Sequence, residues 1–76
     1  MNKRRRDILK RAVSALETAE NFINSALDEE KDCLYNCPEN LEGSEKYEKM
    51  ETAIDKLEEA IENVDEAKNC IEEASE

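Results

Sequence analysis

Cys33 and Cys37 stand four residues apart, one helical turn if a helix runs through them, and two thiolates at that spacing can begin a metal site. Zinc usually takes four ligands, and this chain offers 3 cysteines and no histidine. A pair of small buried residues at the end of a core is the better reading of Cys33 and Cys37. In a hairpin, Cys70 lies roughly 25–30 Å from Cys33 at 1.5 Å per helical residue, which rules out an intrachain bridge. Two hairpins packed antiparallel would bring Cys70 of one level with Cys33 of the other.

The absence of histidine also removes the usual general base and any Ser-His or Cys-His nucleophile pair. A single glycine leaves no phosphate-binding loop, and no calcium loop is present. Catalysis would fall to carboxylates alone, and 21 acids on helices read as solvated faces. The expectation is a protein that is not an enzyme and that holds no metal or cofactor.

Charge is unevenly spread. Arg4, Arg5, Arg6, Lys10 and Arg11, with Lys3, face only Asp7 in the first eleven residues, a net +5 within a chain of −10. This arm is a candidate anion-binding site, yet no aromatics interleave it, and neighbouring acids at the other terminus (Glu66, Glu72, Glu73, Glu76) would neutralise it in a hairpin. The second half carries a candidate acidic partner face at Glu51, Glu58, Glu62 and Asp65. Such a row is either solubilising or an imitation of the DNA backbone.

These groups must ride on helices. Charged residues make up 42% of the 76 residues and aromatics 4%, a composition shared by disordered tracts and long helices. Heptads decide for helices. Ala12, Ala19, Ala26 and Cys33 recur every seven residues, as do Ala53, Ala60, Ala67 and Ala74, and the two rows mirror each other about Gly43. That pattern predicts two antiparallel helices with an alanine-rich shared seam: helix one over about 5–35, a turn over 36–44, helix two over about 45–74, all one domain spanning 1–76. Pro38 ends the first helix, Gly43 permits positive φ, Ser44 caps the second, and Leu41 is placed to close the end of the core.

Beside the alanines runs a wide apolar stripe. Leu9, Leu16 and Ile23 share a heptad position; Val13 and Leu27 widen it on one side and Ile8, Ala15 and Phe22 on the other. Helix two adds Ile54, Leu57, Ile61 and Val64, with Lys68 in the same row. Leu9, Val13, Leu16, Phe22, Ile23, Leu27, Ile54, Leu57, Ile61 and Val64 cannot all face one neighbouring helix, so they predict an all-α homodimer, a four-helix bundle, or a larger helical assembly. No apolar run approaches the length of a membrane span, and Lys10 and Arg11 interrupt any signal-peptide core, so a cytoplasmic protein with reduced thiols is expected.

The stretch LYNCPENLEGSEKYEKMETAIDKLEEA, Leu34 to Ala60, resembles small helical-hairpin proteins of phages and prophages of Gram-positive gut bacteria. The likeness rests on Tyr35, Asn36, Pro38, Glu39 and Leu41, then Ser44 and Glu45, then Ala53, Ile54, Leu57, Glu58, Glu59 and Ala60. It implies a phage-borne accessory protein of unassigned function inside the bacterial host cell. It carries no catalytic residues, and Cys33, Cys37 and Cys70 are not among the residues that make the pattern. The function expected is a helical protein–protein interaction module whose partners are itself and a host or phage protein, with nucleic acid disfavoured and no membrane. The alternatives are an inhibitor of host immunity, as a DNA mimic or a trap for a nucleotide signal, and a weak nucleic-acid binder through the basic arm.

Overall fold

The computed structural model describes residues 1–38, 40 and 43–76. Helix α1 runs Lys3–Tyr35 and helix α2 runs Glu45–Ala74. They pack against each other as a hairpin with extents of 59 × 15 × 12 Å. Among the described residues there is no strand.

Local chemistry sets the helix ends. Asn2 caps α1, its side-chain oxygen accepting from the Arg5 amide at 2.9 Å, so the helix starts two residues before the expected Arg5. Asn is among the best N-caps, and this signal was present in the sequence at Asn2. At the far end, Asn36 folds back: its amide and its side-chain nitrogen both donate to the Asp32 carbonyl. Gly43 takes a φ of +81°, and Ser44 Oγ accepts from the Tyr47 amide at 3.2 Å to start α2. The placing of Leu41 at the end of the core lies outside the described residues.

A methyl group at Gly43 would meet nothing within 4 Å. The cost of Gly43→Ala is therefore backbone strain alone, about 1 kcal/mol. In a domain of this size that lowers the melting midpoint by about 4–8 °C. Thermal melts followed by circular dichroism check this; an unchanged midpoint refutes it.

The seam is a strict 3-4 repeat. On α1 it comprises Leu9, Val13, Leu16, Glu20, Ile23, Leu27, Glu30 and Leu34, each buried or half-buried. On α2 it comprises Tyr47, Met50, Ile54, Leu57, Ile61, Val64, Lys68 and Ile71. The most enclosed are Leu27 and Ile54, 6% and 8% exposed. Nine of the ten apolar residues expected at an oligomer interface thus lie within the hairpin's own seam, and Phe22 alone stands outside it, 72% exposed.

This corrects the reading of an alanine seam. On α1 the alanine row does not line the contact, since Ala19, Ala26 and Cys33 are exposed and Ala12 is half-buried. The row one residue later, Val13, Glu20, Leu27 and Leu34, faces α2 instead. Three larger apolar side chains remove more surface from water than three alanines, which decides the rotation of the helix. On α2, Ala53, Ala60 and Ala67 are half-buried at the edge of the seam, and Ala74 is exposed.

Candidate functional site

The two flanks of the hairpin differ in chemistry, and their sides can be fixed from one ion pair. Lys31 follows the seam residue Glu30 by one, and Glu58 follows Leu57 by one. Their charged groups meet at 3.5 Å across the helices. Positions one residue after the seam therefore share a side. Because α2 runs opposite to α1, positions one residue before the seam share the other side.

On the after-seam flank, α2 presents Glu48, Glu51, Asp55, Glu58, Glu62, Asp65 and Glu72, all exposed. The four expected acidic-face residues, Glu51, Glu58, Glu62 and Asp65, are all here. Two of them are engaged: Glu58 with Lys31, and Asp65 with Lys68 at 3.3 Å. This flank is a continuous acidic strip, partly tied into the fold.

The before-seam flank is its opposite. Its α1 row is Ile8, Ala12, Ala15, Ala19, Phe22 and Ala26, and its α2 row includes Ala53, Ala60 and Ala67. Sequence reasoning placed the alanines at the right heptad spacing but on the wrong face of α1. The signal that separates the two is the neighbouring 3-4 row of larger residues.

Inside the seam sits a polar knot. Lys68 Nζ donates to Glu20 Oε2 at 2.7 Å and lies 3.3 Å from Asp65. The Lys68 and Glu20 side chains are 19% and 16% exposed. The hydrogen bond to Glu20, and then that to Asp65, hold the Lys68 ammonium above its ordinary pKa of 10.5 against the opposing pull of desolvation. Hydrogen bonding with Glu20, then with Lys68, holds the Asp65 carboxyl below its ordinary 3.8. The sequence placed Lys68 in the apolar row without identifying its partner.

The basic arm is not neutralised in the way the sequence suggested. Among the described residues Lys3, Arg4, Arg5, Arg6, Lys10 and Arg11 make no ion pair, with Glu66, Glu72, Glu73, Glu76 or any other acid. The arm also opens α1, where cations oppose the positive end of the helix dipole, and no acid lies in that first turn. A shallow hollow of about 710 Å³ lies there, walled by Lys3, Arg4, Asp7, Ile8 and Arg11.

The turn end holds a pocket of about 380 Å³ whose walls include Glu30, Cys33, Cys37, Lys46 and Met50. Cys33 and Cys70 are exposed, Cys37 is half-buried, and all three are free thiols. The exposure of Cys33 departs from the expected small buried residue. No cluster of metal ligands occurs among the described residues, and no helix there is long and apolar enough to cross a membrane.

No protein-family model, curated protein or solved structure matches this chain. Its function must be argued from its own surfaces.

Proposed function

We propose that this chain is a non-enzymatic helical interaction module of a phage or prophage, working in the host cytoplasm as a homodimeric four-helix bundle. The observation that carries the proposal is the amount of surface left over. The chain exposes 5893 Å². A compact folded monomer of 8.7 kDa exposes about 4,700 Å². The excess exceeds the roughly 800 Å² that each partner buries in a stable interface. Phe22, 72% exposed in the middle of a long helix, marks where part of that excess lies.

Self-association covers apolar surface and leaves the acidic strip outward for a protein partner of the host or phage. The resemblance of Leu34–Ala60 to phage hairpins supports the setting. Light scattering on the reduced protein over a concentration range tests the assembly. A mass of two chains that persists on dilution is expected; the mass of one chain throughout refutes the bundle.

A further inference from the structure

We propose that a second copy of the chain stacks on the before-seam flank, with the two turns at opposite ends of the bundle. This rests on the homodimer reading and adds the face and the orientation, neither of which that reading specifies.

The face is selected by what it lacks. The chain has 21 acids among 76 residues. The sixteen before-seam positions, 8 to 33 on α1 and 46 to 70 on α2, hold one acid, Glu29. On the other flank, seven of the eight after-seam positions of α2 are acids. Solubility alone gives no reason to clear one flank of acids and fill the other. Removal from water on association does, because an unpaired buried carboxylate is costly.

The same flank carries the apolar content. Ile8 and Phe22 are 47% and 72% exposed. Between and beside them stand Ala12, Ala15, Ala19 and Ala26, small enough for a second helix to approach closely. These residues form their own 3-4 repeat, the pattern of a coiled-coil face, although α2 does not cover it. Across the hairpin the half-buried alanines Ala53, Ala60 and Ala67 extend the face. Helix α1 therefore has two adjacent coiled-coil faces, one spent on α2 and one open.

Charge chooses the occupant and its direction. Residues 1–20 and 66–76 together balance to zero, so the whole −10 resides in 21–65, the turn half. Two copies with their turns together would place both negative halves side by side. With turns opposed, each negative half lies over the neutral half of the other copy, and the unpaired arm comes over the partner's acidic end of α1, Asp28 to Asp32. This gives Arg4 and Arg11 the counter-charges that no acid among the described residues supplies within one chain. In α1-over-α1 antiparallel packing Phe22 falls among the partner's alanines, so that large residues meet small ones.

The test uses the full chain under reducing conditions. Phe22 is exposed, so Phe22→Glu leaves the hairpin folded, which circular dichroism verifies. It is expected to convert the dimer to a monomer, with at least a hundredfold weaker association. Tyr35→Glu, on the opposite flank at 90% exposure, is the control and is expected to leave the dimer intact. A wild-type monomer would overturn the homodimer reading itself. A wild-type dimer that survives Phe22→Glu would overturn the choice of face while leaving that reading in place.

Direction is read by cross-linking. In Ile8→Cys with Cys37→Ser and Cys70→Ser, a bismaleimide reaching about two helical turns (~11 Å) is expected to join Cys33 of one copy to the new thiol of the other. With turns together, as within one chain, those positions would stand about 37 Å apart. Cross-linking of Cys33 to Cys33 in the Cys37→Ser/Cys70→Ser protein without the added thiol, where turns opposed would hold the two about 42 Å apart, would overturn the opposed orientation.

Discussion

Leu27→Ala and Ile54→Ala each bring the hairpin close to unfolding at 37 °C. Leu27 and Ile54 are the only buried residues among those described, at 6% and 8% exposure. Every other seam residue is half-open, so no deeper layer can share the loss. Truncating a buried Leu or Ile to Ala costs about 2–5 kcal/mol, the lost transfer free energy plus the void left behind. Small domains have stabilities near the low end of the usual range of about 5–15 kcal/mol. For a domain of this size each kcal/mol corresponds to about 4–8 °C, so a fall in the melting midpoint of 10 °C or more is expected. Leu27→Met keeps volume and apolarity and is expected to cost under about 1.5 kcal/mol. Circular dichroism melts at fixed protein concentration separate the two, since the proposed dimer would make the midpoint depend on concentration. Equal midpoints for Leu27→Ala and Leu27→Met would show that the seam is not what holds the helices together.

How much of this was legible in the sequence differs between backbone and surface. The hairpin could be read because its punctuation is chemically specific: Pro38 cannot continue a helix, Gly43 accommodates positive φ, and Ser44 supplies a capping oxygen. The rotation of α1 about its axis could not be read by spacing alone. Its rows Ala12–Ala19–Ala26–Cys33 and Val13–Glu20–Leu27–Leu34 have the same period and differ by one residue. The second contains a glutamate, which argues against a core position unless its partner is known. That partner is Lys68, 48 residues away, and only the fold brings the two together. The helix rotates to bury leucine rather than alanine because the lysine makes Glu20 tolerable there.

The same choice explains the surfaces. Once Val13, Leu27 and Leu34 take the seam, the alanines and Phe22 must turn outward together, because they sit one residue earlier on the same period. Nine of the ten residues expected at an interface between chains are used within one chain, and the α1 row the sequence had assigned to the seam lies outside it. The acidic face lay where its heptad spacing put it, since all four residues follow the α2 seam by one.

Lys68→Met and Glu20→Met each lower the melting midpoint by several degrees, and the double variant Glu20→Met/Lys68→Met recovers at least the wild-type midpoint. Each single change leaves one charge in the seam without its 2.7 Å partner; the double change leaves none and adds apolar contact. The pair also carries a pH signature. Because Lys68 has its pKa raised above 10.5, its contribution is fully present below 10.5 and is lost as pH rises through the raised value. Because Asp65 has its pKa lowered below 3.8, its contribution is present above 3.8 and is lost as pH falls through the lowered value. Between those limits the knot is intact, and the alkaline loss of stability is expected to shrink in the double variant. Melts of the four proteins from neutral pH to pH 11 provide the comparison. What the double variant gives up is register: apolar residues in a 3-4 seam can slide by a heptad, whereas Glu20 against Lys68 admits one alignment. Its transition is therefore expected to be higher in midpoint but broader. A double variant melting as low as the singles would mean that these positions need polar groups for a reason other than their mutual attraction.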